Sequence, residues 1–222
     1  MTAVAVVLGA GSGERLGAPE PKAFLDLEGS TLLQWAVRSA GGSPSVDLVV
    51  AVVPQGFEDR ARSDVDGVTV VAGGSSRQAS VFAALGAIEA DAGDLVLCHD
   101  AARPFASPAL FTSVADALVD AAGVVPVLPM ADTVKRVSGD RVLGTVSRED
   151  LVLVQTPQAF RFGALRQAHE RAAGSTQFTD DAALIESEGG TIRTVPGERH
   201  NIKITAPEDL DLARAIVRSR GR

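Results

Sequence analysis

The chain has 222 residues, 45% of them hydrophobic and 22% charged, with a formal net charge of −7. That is enough apolar material for one domain spanning 1–222, and the acidic balance argues against nucleic acid as a partner while leaving room for a local basic pocket that holds one small anion. A single cysteine, Cys98, excludes an intrachain disulfide. The N-terminus lacks the basic flank and long apolar stretch of a secretory signal, and apolar runs such as 4–8 fall far short of the about 20 residues that a membrane helix needs. A cytoplasmic protein with no membrane role is expected.

In chain order, short β-branched runs at 3–8, 48–53, 68–71, 95–99 and 124–128 read as strands. Between them, 32–40, 57–64, 78–90 and 108–121 carry apolar residues three and four apart, the spacing of amphipathic helices. Strands alternating with helices predict an α/β fold with a mostly parallel sheet, and near-continuous apolar strands predict helices on both of its faces. Ligands in such sheets bind beyond the carboxyl ends of the strands, where the Gly-rich and charged segments fall. Residues 133–137 and 141–146, joined by Ser138, Gly139 and Asp140, predict a protruding β-hairpin arm at about 132–152. An isolated hairpin is only marginally stable, which favours packing on a second copy of the chain over lying loose on the surface. A last helix over 207–218 places Glu208 and Asp209 in its first turn and Arg214 and Arg218 later, suiting its dipole.

The densest chemistry follows the first strand, in Leu8-Gly9-Ala10-Gly11-Ser12-Gly13-Glu14-Arg15-Leu16 and then Pro21-Lys22. Alternate glycines let backbone approach a ligand and turn amides toward negative oxygens, although a plain glycine-rich turn has the same composition. A dinucleotide fingerprint needs glycine at Glu14, and a Walker loop needs a Gly-Lys pair that the chain lacks. A nucleophile elbow needs glycines where Ala10 and Glu14 flank Ser12. What remains, a Gly-rich loop with Arg15 and Lys22 close behind, suggests triphosphate binding. Asp100 closes a strand at the same edge, where a carboxylate among phosphates makes sense with a bridging divalent cation; a helix cap or an ion pair with Arg103 is the alternative. Gly73-Gly74-Ser75-Ser76-Arg77 with Ser80 forms a second loop entering a helix, with Ser76 suited to the N-cap. Cys98 reads as a core residue, and neither it nor His99, His169 and His200 has the spacing of a zinc site.

A Gly-rich loop followed by Arg and Pro-Lys resembles the signature of the sugar-nucleotide pyrophosphorylase superfamily. His99-Asp100-Ala101-Ala102-Arg103-Pro104, Asp132-Thr133-Val134-Lys135-Arg136, Gln155-Thr156-Pro157-Gln158, Thr179-Asp180-Asp181 and Asn201-Ile202-Lys203-Ile204-Thr205 occur in the order found in methylerythritol phosphate cytidylyltransferases. The resemblance runs through nearly the whole chain, with departures at Leu8-Gly9 and Glu14. It implies a Rossmann-like fold and a magnesium-dependent homodimer that joins CTP to 2-C-methyl-D-erythritol 4-phosphate with loss of pyrophosphate. It also implies roles. Gly9, Ala10, Gly11, Gly13 and Ala101 hold the nucleotide, while Gly74, Ser75 and Ser80 read the cytosine. Asp100 holds the cation, and Arg15 and Lys22 stabilise the transition state. Arg103, Thr133, Arg148, Thr179 and Lys203 bind the acceptor, with Lys203 aligning the incoming phosphate and Thr133 and Arg148 reaching it from the other subunit. A ribitol 5-phosphate cytidylyltransferase shares the nucleotide half and differs in the acceptor. A nucleotide sensor that lost turnover is the non-enzymatic alternative.

Overall fold

A computed structural model describes residues 1–11, 13, 20–172 and 178–220. The chain runs through β1 (Ala3–Leu8), a 3-10 turn (Lys22–Phe24), α1 (Leu32–Gly41), β2 (Leu48–Val53), α2 (Glu58–Asp64), β3 (Thr69–Ala72), α3 (Arg77–Ala87), β4 (Leu95–Asp100) and α4 (Pro108–Asp116). It continues through β5 (Gly123–Pro129), β6 (Val134–Ser138), β7 (Arg141–Val146), β8 (Val152–Val154), β9 (Gln158–Arg161), α5 (Phe162–Arg171), α6 (Asp181–Ser187), β10 (Ile192–Pro196) and α7 (Pro207–Arg220).

Strict alternation in the first strand decides the layering. Ala3, Ala5 and Val7 point into one apolar cluster with Leu33 and Val37 of α1 and Phe111 and Val114 of α4. Val4 and Val6 point the other way, onto Val81 and Leu85 of α3, Leu165 of α5 and Leu184 of α6. Strand β4 repeats the division, with Leu95 and Leu97 on the first face and Val96 and Cys98 on the second. Side chains of successive strand residues face opposite ways, so a strand covered on both sides is apolar throughout. This is the expected α/β sheet, in the order β10-β5-β9-β4-β1-β2-β3, with β8 paired to β5. Strands β3, β2, β1 and β4 are mutually parallel, whereas β9 runs antiparallel to both β4 and β5. A third cluster, including Leu27, Leu32, Phe105, Ile204 and Ala213, seats α7 against the start of α1 and the segments around Phe105 and Ile204.

Two helices end earlier than their apolar spacing predicts. Helix α3 stops at Ala87 rather than residue 90, because Ile88 turns extended and packs into the second cluster. Helix α4 stops at Asp116 rather than 121; Leu118 keeps the apolar rhythm but leaves the helix, buried in the core with its carbonyl bonded by Arg161. Strands β8, β9 and β10 and helices α5 and α6 have no counterpart among the elements expected from the sequence.

Strands β6 and β7 form the expected hairpin as a separate two-stranded sheet. Ser138 pairs with Arg141, so the turn is two residues rather than three, with Gly139 at φ 57° supplying the left-handed conformation that such a turn requires. Val137, Val142 and Leu143 on it are 57%, 61% and 62% exposed. Among the described residues no helix is long and apolar enough to cross a membrane.

The sheet is tightly packed at Gly123 in β5, where an added Cβ would lie 2.6 Å from the Phe160 ring and 2.8 Å from Ile192 Cδ1. Gly123→Ala is expected to lose about 1–3 kcal/mol of stability by overpacking. A urea titration that shifts by less than about 0.5 kcal/mol would show slack between β5, β9 and β10.

Candidate active site

Strand β1 has β2 on one side and β4 on the other, so the chain order reverses at β1, and a crevice opens beyond the carboxyl ends of β1 and β4. Leu8 and Asp100 are register partners at its floor. The crevice holds a cavity of about 490 Å³ walled by the loop after β1, the loop between β3 and α3, the start of the turn after β4, and Lys203. That volume lies within the range of small-molecule sites. Its described lining carries three cations, Lys22, Arg77 and Lys203, against the single carboxylate of Asp100. In a chain of net charge −7, this is the local basic pocket that an anionic ligand needs.

The glycines fix how closely the walls approach. Gly13, at φ 72°, sits where an added Cβ would be 2.9 Å from Lys22 Cβ, so the first loop folds back directly onto the lysine-bearing turn. At Gly73 an added Cβ would be 2.4 Å from Ala10 Cβ, which brings the two loops together. Ser76 caps α3 by accepting from the Ala79 amide at 3.0 Å, as its sequence position predicts. Ser80 accepts from the Gly74 amide at 3.1 Å and donates to the Ser76 carbonyl at 2.8 Å, so its hydroxyl shapes the loop. The amides of Gly9 and Ala101 bond to the carbonyls of Val52 and Leu8. At those two positions the chain offers a ligand close approach rather than a donor.

Asp100 is gripped from two sides. Lys203 Nζ lies 2.7 Å from its Oδ2 and Arg77 Nε 3.5 Å from its Oδ1. Burial alone would raise its pKa, but Arg77 and then Lys203 reverse this and hold the carboxyl well below the usual range, as an anion. The expected alternative partner, Arg103, does not pair with it; the Arg103 guanidinium turns to the carbonyls of Asn201, at 2.8 Å, and Val154, at 3.3 Å. Behind Asp100, His99 Nε2 meets the Arg103 carbonyl at 3.1 Å and must donate to it, so Nδ1 accepts from the Thr156 hydroxyl at 3.0 Å. Thr156 in turn accepts from the Asp100 amide at 3.1 Å. Burial brings His99 down to about 4, in keeping with the neutral ring that this chain of bonds demands. The loop 100–103 is thus fixed from beneath.

A buried amide cluster fixes the opposite wall. Gln155 donates to the carbonyls of Glu198 and Asn201, and Asn201 donates to the Thr156 carbonyl at 2.9 Å. Lys22 Nζ donates to the Ile204 carbonyl at 2.9 Å, which ties the first loop to the segment carrying Lys203. The sequence strings around Gln155 and Asn201 therefore hold the cavity's walls.

Of the sequence candidates, Gly9, Ala10, Gly11, Lys22, Gly74, Ser75, Ser80, Asp100, Ala101 and Lys203 line the one cavity. Gly13 packs on Lys22, Arg103 sits behind the 201–205 wall, and Arg15 lies outside the described residues. Thr133, Arg148 and Thr179 do not line it; all three are exposed, and Arg148 bonds the Ala131 carbonyl at the base of the arm. Arg77, between Ser75 and Ser80, is the lining cation that the sequence candidates omit. The readable signal for it is a cation in the first turn of a helix, where the dipole disfavours it.

Residues 3–219 match the family model of 2-C-methyl-D-erythritol 4-phosphate cytidylyltransferase. The chain is 48% identical over 217 residues to a protein of that name from Rhodococcus opacus (strain B4), covering 96% of this chain and 94% of that one. Among solved structures, that of 2-C-methyl-D-erythritol 4-phosphate cytidylyltransferase from Thermus thermophilus is 37% identical with a TM-score of 0.81, covering 96% of this chain and 98% of the other. That of 4-diphosphocytidyl-2C-methyl-D-erythritolsynthase from Anaerococcus prevotii DSM 20548 is 31% identical with a TM-score of 0.85, covering 98% and 96%.

Proposed function

Because the chain belongs to the 2-C-methyl-D-erythritol 4-phosphate cytidylyltransferase family, we propose that the cavity beyond β1 and β4 is where it carries out that family's reaction. The enzyme is a nucleotidyltransferase that converts CTP and 2-C-methyl-D-erythritol 4-phosphate to 4-diphosphocytidyl-2-C-methyl-D-erythritol and pyrophosphate. The observation that carries the siting is that Lys22, Arg77, Lys203 and Asp100 line one cavity at the sheet's switch point, with Arg77 and Lys203 paired to Asp100.

An oxygen of the acceptor's phosphate bonds to the α-phosphorus of CTP as the bond from that phosphorus to the bridging oxygen breaks, and the electron pair leaves with pyrophosphate. No group of the protein is bonded along the way, so catalysis is positioning and charge neutralisation. Lys22 and Arg15 serve to neutralise the negative charge that grows on the phosphoryl oxygens, and Lys203 aligns the acceptor phosphate with Arg103 behind it. Gly9, Ala10, Gly11 and Gly13 give the triphosphate room to lie against backbone, and Ala101 walls its other side. With the Gly74 amide bonded to Ser80, reading of the cytosine edge falls to the Gly74 carbonyl and the Ser75 backbone.

The chemistry of the donors fits magnesium, which is commonly bound by one or two carboxylates together with substrate phosphate oxygens, and Asp100 is an ionised carboxylate lining this cavity. Asp100 would hold the ion, whose chemistry when bound is neutralisation of triphosphate charge. The outward apolar residues of the arm support a homodimer in which Thr133 and Arg148, and with them Thr179, serve the acceptor. We place the enzyme in the cytoplasm, where its lone buried Cys98 stays a thiol.

Incubation with CTP and magnesium, offering methylerythritol phosphate and ribitol 5-phosphate in parallel, tests this reading. Pyrophosphate release is expected with methylerythritol phosphate alone. Release only with ribitol phosphate would reassign the acceptor, and silence with both would leave a nucleotide sensor.

A further inference from the structure

We propose that Arg77 is a positioning residue for this reaction, acting through Asp100, whose carboxylate it fixes in the cavity from a buried anchor formed by Asp181 and His169. This rests on the reading of Asp100 as the acidic group of the site.

The geometry is a chain of charged and polar groups that starts at the cavity and ends in the core. Arg77 Nε lies 3.5 Å from Asp100 Oδ1, and its Nη1 lies 2.7 Å from Asp181 Oδ2. His169 Nε2 donates to the other Asp181 oxygen at 3.1 Å. The Asp181 and His169 side chains are only 2% and 1% exposed. Strand alternation makes this possible. Asp100 falls on the same face of β4 as Cys98 and Val96, the face covered by α3, α5 and α6, so the first residues of α3 and α6 converge on it. Neighbouring acids divide the work: Asp180 caps α6 by accepting from the Ala183 amide at 2.9 Å, which leaves Asp181 to face Arg77.

Stability gives no reason for this arrangement. A buried ion pair is a poor contributor to stability, and apolar residues of similar volume often do as well or better. The helix dipole of α3 disfavours a cation at its first position. Arg77 Nη2 is buried and has no hydrogen-bond partner among the described residues. What the arrangement does achieve is control of the end that lines the cavity, the carboxylate of Asp100. Lys203, 41% exposed on a flexible stem, can hold that carboxylate but cannot fix its plane. Arg77 is braced by Asp181, so its planar guanidinium sets the carboxylate from behind.

The test is a double-mutant cycle on the full chain, with kcat and both KM values measured for the wild type, Arg77→Met, Asp100→Asn and the double variant. Positioning through Asp100 predicts a fall in kcat of about ten- to a hundredfold for Arg77→Met, with both KM values within about threefold, since small misplacements act on the transition state. In the Asp100→Asn background, Arg77→Met should cost less than about twofold more, because coupled residues are not additive. An additive loss would show Arg77 acting without Asp100 and would overturn the proposal, as would a kcat unchanged per folded molecule.

Val114→Ala, a core truncation in α4, supplies the control for thermal destabilisation and should keep wild-type kcat. If Arg77→Met fails to fold, Asp181→Asn carries the same test from the far end, with kcat falling and the fall vanishing in the Asp100→Asn background. Full activity in Asp100→Asn would remove Asp100 from the reaction. An impaired Asp100→Asn beside normal Arg77→Met and Asp181→Asn would remove only the role of Arg77.

Discussion

Lys22→Ala lowers turnover by about two powers of ten or more if its ammonium neutralises transition-state charge as an oxyanion donor does. The lysine is well placed for this. Its turn is held against the first loop at Gly13, and its Nζ is oriented by the Ile204 carbonyl at 2.9 Å. The same bond raises a rival explanation, that the variant fails because the 201–205 segment loses an anchor. A hydrogen bond from a charged group contributes about 1.5–3 kcal/mol, comparable with the about 2.7 kcal/mol of a hundredfold loss, so magnitude alone does not separate the two. Lys22→Gln separates the two, since its amide can still donate to Ile204 but carries no charge. Turnover in Lys22→Gln as low as in Lys22→Ala assigns the effect to charge, and near-normal turnover in Lys22→Gln assigns it to the anchor. Arg15→Ala is expected to fall as far.

The parallel half of the fold was legible because its residues obey one rule. Residues 3–8, 48–53 and, but for His99, 95–99 are apolar on both faces, and only a doubly covered sheet accounts for that. The segment from 152 to 200 was not, for three different reasons. Strand β9 is four residues long and includes Gln158 and Arg161, so its burial comes from lying between β4 and β5 rather than from its own pattern. Strand β10 is an edge strand with three of its five residues exposed. Helix α5 did carry a signal, since Phe162, Leu165, Ala168 and His169 are its buried face at helical spacing. A histidine in that stripe hid its continuity.

The setting of the site was legible where it is local, as with the helix cap at Ser76 and the strand end at Asp100. It was not where the role depends on contact across the sequence. Arg77 and Asp181 are more than a hundred positions apart and meet only because α3 and α6 begin on one face of β4. The bond from Thr156 to His99 likewise needs β9 to lie beside β4.

Lys203→Ala and Arg148→Ala, each inactive alone, are expected to recover activity when mixed. Thr133 and Arg148 stand on the arm, exposed and apart from the cavity that holds Lys203. The arm exposes Val137, Val142 and Leu143, and Leu153 on β8 is 51% exposed, an apolar surface of the kind that marks an interface. If the arm crosses a two-fold axis, each site joins one chain's Lys203 to the other chain's Arg148. Equal mixing then makes half of the dimers mixed, and each mixed dimer has one site with both residues intact. Recovery of about one quarter of wild-type activity follows from that symmetry. Full separation of the two lesions requires subunit exchange, which light scattering on a mass-tagged partner follows directly. No recovery after exchange would place both residues in the same chain's site. In that case the arm would have to fold back across its own cavity, and Leu143→Asp, expected to split the dimer and abolish turnover together, would instead leave an active monomer.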